Sequence, residues 1–379
     1  MPTRTRTASG RSGGPGSAAL PDLAALPNLP ALPDLDGRDG IRRALEAWQE
    51  PGATELADVL LGVVNDASQP HAPIGIERLK RAVYRLRIGS GSERTLILKC
   101  HTPALAQTDR LLIERWLPAI GFADRCPRLL AAAAEREGSC VWHIYEDLGT
   151  ESLAVQRDAS RVAAAVDCIA ELHVRAARHA ILPEIRWRAR DHGTHFLIGS
   201  LRDAIAALDR VPTDDRRAPR GLAAARTRLR DRLFRLLDDA PQRIRIGEPV
   251  PETLLHGDLW PKNVFVTVAG GGARAQLIDW DHVGAGPFTY DLSTFLYQCS
   301  GDDRPWILRR YRDAMERAGW RLPDDTQLNA LFYAAECARY AHCILWAAMA
   351  AVNDGAEWGM RDLVDYDGWF DVLRPPLPD

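Results

Sequence analysis

Residues 255–266 read Leu255-His256-Gly257-Asp258-Leu259-Trp260-Pro261-Lys262-Asn263-Val264-Phe265-Val266, and after a Gly270-Gly271-Gly272 turn the chain continues Leu277-Ile278-Asp279-Trp280-Asp281. The pattern is loop, strand, hairpin, strand. It brings three oxygen-bearing side chains together: Asp258 and, five residues on, Asn263 from the loop, then Asp279 from the next strand. Phosphoryl transfer asks for such a set. One group must orient or deprotonate the incoming hydroxyl, and hard oxygen ligands must hold Mg²⁺ against the triphosphate, because catalysis there is positioning plus charge neutralisation. Asp258 suits the first task, Asn263 and Asp279 the second. Asp281 follows Asp279 by two, which on an extended strand puts both carboxylates on one side. A contact with a second metal or a cationic acceptor, or a turn-forming role, are all open to it.

Upstream of this unit, residues 74–99 have strand character: Val83-Tyr84-Arg85-Leu86-Arg87-Ile88 alternates, Gly89-Ser90-Gly91-Ser92 turns, and Thr95 to Leu98 leads to Lys99 at the strand end. Of 48 basic residues only Lys80, Lys99 and Lys262 are lysine. A lysine kept against that bias is a candidate for work that a planar guanidinium cannot do. Thr102 and Pro103 open a helix that Pro118 follows, and Glu114 is the one glutamate within it. Val141 to Tyr145 is another strand, and Glu146-Asp147-Leu148-Gly149 permits a bend.

The spacing His-x-Asp-x-x-x-x-Asn followed by Ile-Asp-Trp resembles the catalytic loop of the protein-kinase-like superfamily, and specifically that of the aminoglycoside phosphotransferase and choline kinase family. The resemblance covers about residues 70–350. It implies Asp258 as the catalytic aspartate, Asn263 and Asp279 as Mg²⁺ ligands, His256 as a buried organiser of the loop and Asp291 as a structural aspartate. It implies Lys99 as the lysine that holds the α- and β-phosphates, with Glu114 as its helix partner. The segment from Tyr145 to Leu148, including Glu146, is similar to the hinge whose backbone hydrogen-bonds adenine. One departure stands out. No Gly-x-Gly-x-x-Gly covers the phosphates, and Ile76-Glu77-Arg78-Leu79-Lys80-Arg81-Ala82 takes its place. Lys80 and Arg81 either meet phosphate through their side chains or sit on a solvated hairpin tip. A protein substrate is disfavoured, since neither Asp-Phe-Gly nor Ala-Pro-Glu appears and about ten residues separate Asp279 from the helix near Tyr290.

The rest of the chain sets the frame. A net charge of −3 over 379 residues gives no basic surplus for nucleic acid or anionic membrane. Seven scattered cysteines without a CxxC pair argue for a reducing cytoplasm, and no apolar run approaches a membrane span. Residues 1–40, rich in Arg, Ser, Gly and Leu-Pro repeats, are expected to be a disordered tail. Short helices are expected at Ile41–Gln49 and Glu55–Asn65. Asp158 is expected to cap a helix with a buried Val162, Val166, Ile169, His173, Ala176 stripe, on which His173 is a core histidine. The arginines of 216–235 interleave with Leu222, Leu229, Leu233 and Leu236, the pattern of a solvated amphipathic helix. Asp191-His192-Gly193-Thr194-His195 reads as a loop on the substrate side.

The expected fold is therefore α+β and bilobal, kinase-like: a tail over 1–40, a small β-rich nucleotide-binding lobe over 41–147, and a larger helical lobe over 148–379 with the catalytic loop and substrate pocket. The expected cofactors are ATP or GTP and Mg²⁺, and the expected partner is a small hydroxylated acceptor. The acidic C-terminal region favours an amine-bearing one, such as an aminoglycoside-like antibiotic. The rival reading is a kinase-shaped nucleotide-binding regulator without turnover.

Overall fold

A computed structural model describes residues 50–65, 74–80, 82–88, 94–212, 218–247, 252–269 and 272–368, together with Arg42, Arg43 and Leu45. The expected tail, most of the Ile41–Gln49 helix and the Gly89–Ser92 turn lie outside these residues.

Helix α1 (Ala53–Asn65) precedes five antiparallel strands, β1 (Ile74–Lys80), β2 (Val83–Ile88), β3 (Arg94–His101), β4 (Leu129–Ala134) and β5 (Val141–Glu146), in sheet order β1-β2-β3-β5-β4. The period of two along a strand divides their side chains between two jobs. Tyr84, Leu86, Leu96, Leu98, Trp142 and Ile144 form a core with Leu56, Ala57 and Leu60 of α1. Val83, Arg85, Ile97 and Lys99 point the other way and line a cavity between the lobes. Burying each large apolar side chain contributes about 1.5–3 kcal/mol, so the alternation fixes the register, and hence the face that Lys99 presents. Lys99 is not at a strand end, because β3 continues through Cys100 and His101. Strand β4 is a run of leucines and alanines, composition that favours helix, and pairing with β5 makes it strand.

Helix α2 (Pro103–Leu111) starts after an extended Thr102 whose side chain makes no cap bond, and it runs through a π turn at Leu112–Trp116. Pro118, expected just beyond the end, lies within the final turn, Leu117–Ala119. The buried stripe of this helix is Ala106, Asp109, Leu112 and Trp116.

The larger lobe carries α3 (Ala159–Ala176), α4 (Leu182–Arg188), α5 (Thr194–Arg210), α6 (Leu222–Gly247), α7 (Thr289–Tyr297), α8 (Arg304–Arg317), α9 (Asp325–Asn353) and α10 (Glu357–Tyr366). Asp158 caps α3, accepting from the Arg161 amide at 2.8 Å, and its expected stripe is buried. That stripe packs under the hairpin of β8 (Val264–Ala269) and β9 (Gly272–Leu277). A second core joins α5, α6, α9 and α10, with Leu222, Leu229, Leu233 and Leu236 of the arginine-rich α6 facing inward. A small sheet, β6 (Arg190–Asp191), β10 (Gly284–Pro287) and β7 (Glu252–Leu255), ties the loop that starts at His256 to the segment before α5. The architecture is thus a β-sheet N-terminal region and a larger helical C-terminal region, as expected. Among the described residues no helix is long and apolar enough to cross a membrane.

Candidate active site

The loop after β7 is held from below. The amides of His256 and Gly257 donate to the buried Asp291 carboxylate at 2.7 and 2.8 Å, and His173 approaches the same carboxylate at 3.4 Å. Burial pushes the Asp291 carboxyl up, but His173 and the amide donors outweigh it and hold the group below its ordinary value. His256 bonds the Ile278 carbonyl at 2.8 Å and packs on Trp280, which locks the loop to the end of β9. Gly257 has φ +80°, and a Cβ there would lie 1.9 Å from the His282 carbonyl oxygen. Only glycine fits that approach.

Asp258 follows. Its Oδ1 accepts from Trp260 Nε1 at 2.5 Å and its Oδ2 from Asn263 Nδ2 at 3.2 Å. Asn263 Nδ2 also donates to the Asp258 backbone oxygen at 2.8 Å, so its amide is oriented and its Oδ1 is left to act as acceptor. Burial raises the Asp258 carboxyl above its usual value, despite the lowering effect of Lys262 nearby.

Asp279 sits two residues past β9 in a left-handed conformation, φ +64°, uncommon for a residue other than glycine. Its Oδ1 lies 2.5 Å from Lys99 Nζ, and its Oδ2 lies 3.0 Å from Lys80 Nζ. Burial pushes this carboxyl up, but the two ammonium groups hold it far below the usual carboxylate range. Lys99 also meets Asp281 Oδ1 at 2.6 Å. Asp281 is raised by burial more than Lys99 lowers it, and burial opposes the charge of Lys99, which the two carboxylates restore and hold above the usual lysine value.

Glu114 is elsewhere. It lies in the π turn, half exposed, and accepts from Arg110 one turn back at 2.9 Å. Facing the sheet from that helix is Asp109, buried and bonded to Tyr145 at 2.6 Å and to His143 at 2.9 Å. His101 reaches the Tyr145 hydroxyl at 3.2 Å and lies 3.9 Å from Asp281. The partner expected in Glu114 is thus Asp281, and the helix contributes Asp109 at one remove. The stripe of Ala106, Asp109, Leu112 and Trp116 is the signal that could have found it.

Lys80, Lys99, Asn263, Asp279, Glu146 and Leu148 all line one cavity of about 310 Å³. The Glu146 carboxylate turns away, accepting from the Arg128 amide and guanidinium. Asp147 is clamped by Arg85 at 2.6 Å, and Arg85 also bonds the Gly149 carbonyl. This buried pair, unmarked in the sequence, fixes the bend between lobes. As for a metal, Asn263 Oδ1 and the Asp279 carboxylate are hard oxygen donors, and Asp279 already draws cations to both its oxygens, so the residues fit Mg²⁺.

Beyond Asp258 the surroundings are rich in aromatic rings, with uncharged histidines and one buried guanidinium. His282 packs edge-on to His342, and Trp346 donates to His342 Nε2 at 2.8 Å. Burial pushes both histidines down to about 4. Arg339 is buried against Trp260, Tyr297 and Tyr340. Of the acidic residues expected to greet an amine, Asp281 is taken by Lys99, Asp362 accepts from Tyr366 and Asp367 pairs with Arg228.

Fold and site together define a two-lobed, kinase-like protein. The chain belongs to the phosphotransferase enzyme family, whose model matches residues 76–328. Among solved structures it is similar to a GDP complex of an aminoglycoside 2'-phosphotransferase-IIIa variant (13% identity, 84% of this chain and 98% of that one, TM-score 0.57). It is also similar to spectinomycin phosphotransferase with ADP and spectinomycin (12%, 84% and 95%, TM-score 0.52), and to an ethanolamine kinase of Plasmodium vivax (14%, 83% and 84%, TM-score 0.53). At such identities the likeness is one of fold. A search of curated proteins finds no match.

Proposed function

We propose that this protein is a Mg²⁺-dependent kinase of a small molecule, moving the γ-phosphoryl group of ATP or GTP to a hydroxyl. The observation that carries the reading is the contact of Lys99 with Asp279 at 2.5 Å, across the two lobes and beside a cavity that Asn263 also lines. In this reading the nucleobase lies along Glu146 to Leu148 and Lys99 holds phosphate. Asn263 and Asp279 hold Mg²⁺, which supplies neutralisation of phosphate charge. Asp258, oriented by Trp260 and Asn263, aligns the acceptor hydroxyl and takes its proton. The neutral histidines and aromatics beyond Asp258 suit a hydroxylated acceptor with apolar faces, and with the Arg339 guanidinium among them nothing there requires an amine.

The test is incubation of the purified protein with MgATP or MgGTP and pooled antibiotics, amines, sugars and neutral alcohols, read by mass for a phosphorylated product. Nucleotide binding without any product across a wide panel would favour the regulator instead.

A further inference from the structure

The chain contains three lysines among 48 basic residues, and all three line the same cavity. Lys99 pairs with Asp279 and Asp281, and Lys262 lies close enough to Asp258 to act on its carboxyl. Lys80 stands apart. It ends β1, where the pairing with β2 shifts register between Arg78 and Lys80, and Ala82 just beyond has φ +59°. Strand thus runs up to the place where a glycine-rich loop would cover the phosphates. From there the Lys80 side chain crosses to the other lobe and meets Asp279 Oδ2 at 3.0 Å. Its side chain is 53% exposed, and ion pairs of that kind contribute little to stability, so the fold gives scant reason for a lysine here.

Charge supplies a reason. Two ammonium groups, Lys80 and Lys99, balance two carboxylates, Asp279 and Asp281. A cation bound at Asp279 displaces Lys80 from its partner, and a magnesium nucleotide brings a surplus of negative charge to the same spot. A flexible stem with a compact, three-donor head can follow that change over a few ångströms.

We infer that Lys80 is a phosphate-binding residue, which replaces glycine-loop amides with a mobile side chain and shields Asp279 until the magnesium nucleotide arrives. The inference rests on the kinase reading above. Its test compares wild type with Lys80→Ala by calorimetry using MgATP, MgGTP and the free nucleosides, and by the electron resonance of Mn²⁺ added alone. Melting temperatures are checked first. Lys80→Ala should weaken the bound magnesium triphosphate about tenfold, roughly the worth of one charge-assisted contact, and leave the nucleoside unchanged. Mn²⁺ alone should bind more tightly, since its competitor at Asp279 is gone. A purely structural role would weaken both. Wild-type triphosphate affinity in Lys80→Ala, or equal losses for triphosphate and nucleoside, would overturn the inference alone. A wild-type protein that binds neither triphosphate would overturn the kinase reading with it.

Discussion

The Nζ of Lys99 lies 2.6 Å from Oδ1 of Asp281, a residue on the same lobe as the metal-binding candidates and 182 positions away in the chain. Lys99, the lysine proposed to bind phosphate, is thus steadied from below, by the segment that also carries Asp279, and not by a glutamate of the neighbouring helix. Asp281→Asn should therefore lower kcat several-fold, on the order of 1 kcal/mol of lost charge-assisted bonding, whereas Glu114→Gln should stay near wild type. Steady-state kinetics of the two variants decide this, and a larger loss in Glu114→Gln would restore the helix partner.

Lys99→Arg preserves charge but not shape. A guanidinium is too wide to sit between two carboxylates 2.5 and 2.6 Å from the present ammonium. Turnover should fall about tenfold or more, equivalent to about 1.4 kcal/mol of transition-state stabilisation. Wild-type kinetics would show that this lysine does not hold phosphate.

Asp258→Asn should bind the magnesium nucleotide normally and lose about two orders of magnitude or more in turnover, the usual scale of general-base or orienting roles. Asp279→Ala should instead weaken Mg²⁺-nucleotide binding. The same pair of titration and rate measurements on both variants separates the roles, and interchanged outcomes would reassign them.

Asp291 supports the loop from a fully buried position, accepting two amides that asparagine's single acceptor oxygen cannot both satisfy. Asp291→Asn should cost about 2 kcal/mol, within the range for a buried donor left unpaired, and lower the melting temperature by several degrees. The sign with pH follows from the lowered carboxyl. Its stabilisation is present above the unfolded value of about 3.9 and fades as pH falls toward the folded one, so the gap between variant and wild type should narrow below about pH 4. A gap independent of pH would mean that the carboxylate's charge contributes nothing.

His282 and His342, both pushed down to about 4 by burial, stay neutral through the physiological range. Acceptor KM should be flat from about pH 5.5 to 8. Because the unfolded chain binds protons at these sites from about pH 6.5 while the folded one resists, stability should decline between about pH 6.5 and 4. A step in KM near neutrality would place a charged imidazole against the acceptor.

The grouping of Asp258, Asn263 and Asp279 was legible in the sequence because the chemistry proposed for them imposes spacing: they must lie at fixed intervals whatever surrounds them. The alternation of Tyr84, Leu86 and Leu98 with Arg85 and Lys99 was legible for a like reason, since burial enforces a period of two. Glu114 misled because residue type was matched without helix phase. It lies two positions from both Leu112 and Trp116, off the stripe that packs, while Asp109 lies on it. Arg85 with Asp147, and Lys80 with Asp279, join residues 62 and 199 positions apart. No local pattern records such pairs, because they exist only once the chain has folded, the first when the sheet meets the bend after β5 and the second when the lobes meet.

Confining lysine to one cavity also makes the protein an unusual target for amine chemistry. An acylating reagent offered to the chain finds three side-chain amines, one half-exposed at the mouth and one shut between carboxylates. Every lysine label then falls in the proposed nucleotide cavity, and only the α-amino group competes. Uniform ¹³C-lysine would likewise give a spectrum of only three side chains, each reporting on what occupies the cavity, with no surface background to subtract.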